Sequence, residues 1–302
     1  MVIHTEPGGP PSHTASLPPV AIVGLGAMGR RLALNLLAGG YPVTVANRSP
    51  GPVRQLVRAG ASAAESPARA AARASIVLVT VTDDTAARAV WLDSRTGVLA
   101  GASRGTLAIE ASTLTPGQIR DLAGEAGRTG LRFLEAPMIG SRPQAEARTL
   151  VHLAGGPPEV AAAAGDVLRV SAARIHHAGG YGAAATLKLI VNALLATQVA
   201  TIAELTGVAR RAGLDLAGSA QLLTGLPVTS PAAARALSVM ASGDFSPNFP
   251  VHLVAKDLRY LTAVASQLGG QAPMARAALA GYEQASAAGH AGEDLHAIAA
   301  LY

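Results

Sequence analysis

The sequence predicts an α/β fold, a doubly wound and mostly parallel sheet followed by an all-helical region, and three observations predict it. Short apolar runs alternate with helical patterns from Val20 to His177, as βα units do when helices cover both faces of their sheet. No strand pattern follows His177, and the rest of the chain reads as successive helices divided by Gly, Pro and Ser turns. Between the two lies a stretch without Gly or Pro from Ala183 to Thr206. It is the core of a helix of roughly 25 to 30 residues, about 40 Å long. The expected organisation is a tail at 1–18, a sheet domain at 19–181 and a helical domain at 182–302.

Composition narrows the function. A chain of 302 residues, 50% hydrophobic, holds material for two cores. Aromatics are only 3% and alanine is abundant, so the helices should pack closely. The net charge of +5 comes from scattered arginines with no basic block, which argues against a nucleic-acid partner. The absence of cysteine excludes disulfides, thiol catalysis and Cys-type zinc sites. His176-His177 and the other histidines lack metal-ligand spacing, so no metal is expected. Residues 1–18 are rich in Pro, Gly, Ser and Thr and have no apolar core of a leader, so they read as a disordered tail. Lys188, Asn192, Thr197, Gln198, Thr201 and Glu204 interrupt the longest apolar run. That run is therefore expected to be a buried helix of a cytoplasmic protein and not a membrane span.

In chain order, Pro19 to Val23 is a strand that breaks into Gly24-Leu25-Gly26-Ala27-Met28-Gly29, after which Arg30 to Leu37 is helical. This is the GxGxxG dinucleotide fingerprint in its strand-turn-helix context: Gly24 turns the chain, Gly26 admits a pyrophosphate, Gly29 lets helix and strand close with the diphosphate on the helix N-terminus, and Ala27 and Met28 in the same turn are expected to contact the cofactor. The alternative is that these glycines only turn the chain. The next strand, Tyr41 to Ala46, ends in Asn47-Arg48-Ser49 with Arg54 nearby. An NAD enzyme places an acid there, whereas an arginine flanked by polar donors suits a 2′-phosphate, so NADP(H) is favoured.

A weak strand at Gly60 to Ala63 precedes a helix at Ser66 to Arg73. Ala74 to Val81 is a strongly apolar strand running into Thr82-Asp83-Asp84, which places Val81, Thr82 and Asp83 on the cofactor side. Thr106 to Glu110 leads into Ala111-Ser112-Thr113 and a helix near Pro116; Ser112 and Thr113 either flank the nicotinamide or cap that helix. Strands at Leu131 to Glu135, Thr149 to Ala154 and Arg174 to His177 complete the sheet, with a helix from Pro158 to Leu168. Further helices are expected at Gly213–Leu223, Pro231–Met240, Leu253–Leu268, Ala272–Ala288 and Gly292–Leu301.

On the long helix Lys188 and Asn192 are spaced i,i+4 and share one face. An ammonium and an amide among apolar neighbours point to a site; the plain alternative is a lysine that snorkels to water.

With these residues in view the chain resembles the β-hydroxyacid dehydrogenase family, which holds 3-hydroxyisobutyrate, tartronate semialdehyde and glyoxylate/succinic semialdehyde reductases. The resemblance runs from about Val20 to the end on four segments: Gly24 to Gly29 with Asn35-Leu36, Glu135-Ala136-Pro137-Met138-Ile139-Gly140-Ser141, Gly182 through Lys188 to Asn192, and Lys256-Asp257-Leu258. It implies a Rossmann-type NADP-binding domain, Lys188 as catalytic lysine and Asn192 as the amide that positions substrate. It further implies Met138 to Ser141 as the substrate loop, with Gly140 and Ser141 on the carboxylate, and Lys256 near nicotinamide and substrate. One position departs: Ile139 stands where the family usually has serine. A buried carboxylate there needs another donor, so a less polar carbonyl compound or a C=N substrate becomes plausible, since imine reductases share this architecture. Those enzymes, however, usually carry Asp or Tyr at the position of Lys188.

The expected function is NADP(H)-dependent hydride transfer to or from a small aldehyde, ketone or 3-hydroxy acid. The alternatives are an imine reductase and, in another class, a non-catalytic NADP-binding interaction module. The apolar faces of the second domain, and the resemblance, both point to a homodimer.

Overall fold

The computed structural model describes residues 16–302; the tail reading for residues 1–15 lies outside the described residues. The chain divides into two compact units, Met1–Lys188 and Leu189–Tyr302.

The first unit is a parallel sheet whose central strands are four residues long and wholly buried: β1 (Val20–Val23), β4 (Ile76–Val79) and β5 (Leu107–Glu110). Alternation of polar and apolar residues is absent from β1 and β4 because helices cover both sheet faces. With β2 (Val43–Ala46), β3 (Ser62–Ala63), β6 (Arg132–Glu135), β7 (Met138–Ile139) and β8 (Leu150–Gly155), the order is β3-β2-β1-β4-β5-β6-β8-β7, and β9 (Ala172–Gly179) pairs with β8. The pairs from β3 through β6 are parallel; β8 runs antiparallel to β6 and β7. Chain order reverses between β1 and β4, the position in such sheets where a crevice opens at the carboxyl ends of the strands. Ile22, Leu36, Leu134 and Leu150 pack on one face, and Trp91, Ile119 and Phe133 on the other.

The structure corrects several element readings. The helix expected from Pro158 to Leu168 breaks at Ala164 into α8 (Pro158–Ala163) and α9 (Gly165–Arg169). The polar run after β4 starts a helix that the sequence reading left out, α4 (Asp84–Leu92), with Asp83 accepting from the Ala86 N–H at 2.8 Å. Strand β7 is too short to show a period. The five-residue α7 (Arg142–Glu146) is opened by a reciprocal box between Ser141 and Gln144.

In the second unit α10 (Ala183–Arg211), which starts in the first, continues beside α11 (Leu216–Thr224), α12 (Pro231–Ser242), α13 (Val251–Gln267) and α14 (Pro273–Ala285). The expected extension to Ala288 is a π-turn at Ser286–His290, and the last segment is a 3-10 helix, Leu295–Leu301. Ala193, Ala196, Val199 and Ala203 put small residues of α10 into this core. Gly207 continues that stripe, and a Cβ there would overlap that of Tyr302. Beyond β9 the one extended pairing among the described residues is an isolated bridge from Pro250 to Asp294.

Candidate active site

The turn after β1 is built by exclusion. Gly24 has φ +88°, open to glycine at little cost, and a Cβ on it would overlap the Thr80 carbonyl. A Cβ on Gly29 would overlap the Gly24 carbonyl, so α1 (Ala27–Ala38) closes onto the sheet only with glycine there. Gly26 differs: nothing lies within 4 Å of where its Cβ would stand, and it is exposed. The α1 helix starts at Ala27 and Met28 with no side-chain cap and no acid in its first turn. Its unsatisfied N–H groups and positive dipole end thus face open space beside a bare backbone, which fits a diphosphate.

The neighbouring strand ends hold this turn. Asn47 Oδ1 accepts from the Leu25 N–H at 2.9 Å, and its Nδ2 donates to the Ser49 carbonyl at 3.0 Å. Both ends of that amide are engaged in shaping the loop, leaving the exposed Arg48 and Ser49 side chains as the polar groups of the segment that project to solvent. Thr80 Oγ1 donates to the Gly24 carbonyl at 2.7 Å, and the Val81 N–H donates to Ser112 Oγ at 2.7 Å. So Gly24, Asn47, Val81 and Ser112 are brought to one edge. Thr82 and Asp83 follow, with Thr82 Oγ1 donating to the carboxylate that caps α4. The helix after β5, α6 (Pro116–Arg128), is capped by Thr115 and not by Ser112 or Thr113, which removes the capping reading of those two residues.

Behind Ser112 stands a residue that sequence reasoning left without a role. Glu110 is fully buried; its carboxylate accepts the Trp91 Nε1–H at 2.6 Å and the Ser112 N–H at 2.8 Å. Burial raises its pKa to about 7, against the opposing hydrogen bonds from Ser112 and Trp91.

In the segment expected to be the substrate loop, Met138 is buried opposite His152, and Ile139 pairs with Val151. Gly140 at φ +113° turns the chain into α7. The Ser141 N–H donates to Gln144 Oε1 at 2.9 Å, and the Ser141 hydroxyl accepts from the helix backbone.

Lys188 is 8% exposed and Asn192 5%, one turn apart on α10. The chain's 24 basic residues include only two lysines, Lys188 and Lys256. In the second unit Asn192 Nδ2 donates to Asp257 Oδ2 at 2.6 Å, and Lys256 Nζ lies 2.9 Å from Asp257 Oδ1 and 4.8 Å above the Tyr260 ring. Asp257, 4% exposed, therefore links the two predicted side chains. Its own part was missed although it lies inside the Lys256-Asp257-Leu258 segment.

Comparison with known proteins gives this geometry a family. Residues 19–180 match the family described as the NAD binding domain of 6-phosphogluconate dehydrogenase, and residues 182–302 that described as NAD-binding of NADP-dependent 3-hydroxyisobutyrate dehydrogenase. An NAD-dependent L-serine dehydrogenase of Pseudomonas aeruginosa is 32% identical over 290 residues, covering 94% of this chain and 97% of its own. The chain belongs to the β-hydroxyacid dehydrogenase family. A solved family structure, Mycobacterium tuberculosis 3-hydroxyisobutyrate dehydrogenase with L-serine, superposes with a TM-score of 0.85 at 29% identity, over 94% of this chain and 99% of that one. An imine reductase from Myxococcus stipitatus in complex with NADP+ has a TM-score of 0.61 at 22% identity, over 93% of this chain and 98% of that one. At that identity the likeness shows the fold alone. β-Hydroxyacid dehydrogenases are NAD(P)-dependent, in keeping with the open, uncapped turn at Gly26.

Proposed function

We propose that this chain is an NADP(H)-dependent oxidoreductase acting on a small aldehyde, ketone or 3-hydroxy acid, with Lys188 as general acid in reduction and general base in oxidation. The observation that carries the reading is the near-complete burial of Lys188 in a chain that otherwise uses arginine almost throughout. Arginine cannot give up its proton, whereas an ammonium can deliver one and take it back.

Gly24, Gly26, Ala27, Met28 and Gly29 would hold the diphosphate, Val81, Thr82, Asp83, Ser112 and Thr113 would line the nicotinamide side, and Arg48 with Ser49 would take a 2′-phosphate. A guanidinium pairs a phosphate bidentately, and residues 47–54 include no acid to repel it. The bound nicotinamide supplies or accepts the hydride. Lys188 would stabilise the negative charge that develops on the carbonyl oxygen and move the proton at that atom. Asn192 shares its helix face, and Asp257 holds its amide through Nδ2, which would orient it toward the substrate oxygen. Lys256, held by the same carboxylate, supplies the second positive charge.

Ile139 keeps a second reading in view. With an alkyl side chain in the substrate loop and the Ser141 hydroxyl engaged at the start of α7, a less polar carbonyl or an imine is a candidate substrate. Both readings are tested by NADPH and NADH consumption over a panel of aldehydes, keto acids and imines. Lys188→Ala is expected to lower kcat by on the order of 10² to 10⁴ while NADPH affinity is kept; full activity in that variant would overturn the assignment. NADPH binding without turnover on any compound would instead favour an interaction module.

We further take the protein to act as a homodimer. A groove of about 550 Å³ in the second unit is lined by Leu205, Leu216, Leu223, Val228 and Met274, and a second copy of the same apolar helices is the surface that matches it.

A further inference from the structure

We propose that Glu135 is a positioning residue for Lys188, acting by fixing the start of the helix that carries it. The inference rests on the reading of Lys188 as the acid–base group.

A helix leaves its first backbone N–H groups without intrahelical partners. In α10 these groups do not go to a Ser, Thr, Asp or Asn at the cap position, which is Gly182. The Ala183 N–H donates to the Gly180 carbonyl, and a carboxylate from the sheet takes two others: Glu135 accepts the Gly182 N–H, just before the helix, at 2.6 Å and the Ala185 N–H at 2.8 Å. Lys188 follows Ala185 by three residues, less than one further turn. The contact spans 47 residues in sequence and so ties the helix start to the end of β6.

The carboxylate has little room to move. Glu135 is 0% exposed, and a Cβ on Gly155, its antiparallel partner on β8, would overlap its Oε1. Gly182 at φ +92° lets the chain turn into the helix, and a Cβ there would lie 2.7 Å from Arg120 Nη1. The preceding residue is tethered as well: Tyr181 Oη donates to the Phe133 carbonyl at 3.0 Å, two residues before Glu135 on the same strand. The helix start is therefore held at two points of β6.

The charged form of this acceptor carries a cost. Glu135 is the register partner of Glu110, also 0% exposed, and burial raises its pKa although the α10 amides and the Arg120 guanidinium favour the anion. A buried acid beside another acid is an unfavourable choice for a cap alone. What the strand-borne carboxylate adds is registry between the sheet end and the helix turn that bears Lys188. Displacing a reacting group by about 1 Å lowers a rate up to roughly 100-fold.

The test is a double-mutant cycle in the full chain. Glu135→Gln presents one acceptor oxygen and one NH₂, so one of the two α10 amides loses its partner. It is expected to lower kcat about 10- to 100-fold, with KM and NADPH affinity within about twofold, and to raise the solvent deuterium isotope effect on kcat, because the proton step alone is slowed. In the Lys188→Ala background the same change should add no further loss. Glu135→Asp, which keeps both oxygens and the charge but retracts them, should recover part of the rate. A folded Glu135→Gln with wild-type kcat, or losses that simply add to those of Lys188→Ala, would overturn the proposal. So would failure of both variants to fold, which would make Glu135 a structural residue only. Should Lys188→Ala itself keep activity, the acid–base reading fails first, and the cycle separates that outcome from this one.

Discussion

The two units differ in how many large apolar side chains they leave exposed. In the sheet unit Trp91, Phe133, Ile22, Leu36 and Leu150 are fully or almost fully buried, and no large apolar residue described there exceeds 44% exposure. In the helical unit Tyr282, Ile298 and Leu258 are buried as deeply, but Leu205, Val208, Leu222, Val228, Leu268 and Met274 are each more than half exposed. Ionisable groups divide along the same line. The sheet unit buries His152, Glu110 and Glu135 with backbone, indole or hydroxyl partners; the helical unit sets ionisable side chains against each other, Lys256 with Asp257 and His296 with Asp294. A sheet covered on both faces closes its core within one chain, whereas a few alanine-rich helices leave one side for another surface.

The sharpest way to break this contrast is to open the closed core. Phe133 is 2% exposed and holds Trp91 at 5.5 Å edge-on and Tyr181 at 5.9 Å. Phe133→Ala is expected to cost about 3 to 5 kcal/mol in chemical denaturation. A loss below about 1 kcal/mol would show that the sheet core relaxes as freely as the helical unit.

Next in size is a pH effect confined to the sheet unit. Burial lowers the pKa of His152 to about 4. The unfolded chain then binds the extra proton between about 6.5 and 4, so this residue makes stability fall as pH falls through that window, by on the order of 3 kcal/mol in total. Glu110, raised to about 7, has the opposite sign: the folded state holds the extra proton, and stability falls as pH rises from about 4.5 to 7. The two slopes oppose each other over most of this range. His152→Gln should therefore unmask a decline in stability with rising pH, and Glu110→Gln a rise, both read from denaturation midpoints between pH 4 and 7. Two variants with the same slope would mean that these groups are solvated in the folded state.

Local order in the sequence carried much of the fold. Gly24 to Gly29 between a strand and a helix, and the run from Ala183 without Gly or Pro, each fix an element from neighbours within a few residues. The ends of α8 and α14 were less legible, because alanine favours a helix equally on both sides of a break. Of the candidate site, Lys188 and Asn192 were legible by their i,i+4 spacing, and the scarcity of lysine was a further signal available in the bare sequence. Glu110, Glu135 and Asp257 were not, because an acid at a strand end or on a helix looks solvated until its partner is known. For Glu135 and Asp257 those partners are 47 and 65 residues distant, beyond any periodic pattern.

The smallest effect on the isolated fold bears most directly on the open side of the helical unit. Val228 is 89% exposed and lines the groove beside α11. In a single chain Val228→Asp meets mostly water and should change stability by no more than about 0.5 kcal/mol. If a second copy seals the groove, the same carboxylate must be desolvated against apolar side chains, and association should weaken at least tenfold. Sedimentation across a range of concentrations separates the two. A wild-type dimer that Val228→Asp turns toward monomer, with unchanged denaturation at low concentration, identifies the groove as the interface. Identical sedimentation of both proteins would leave the helical unit's apolar face as ordinary surface, and the contrast between the units would then reflect packing style and not assembly.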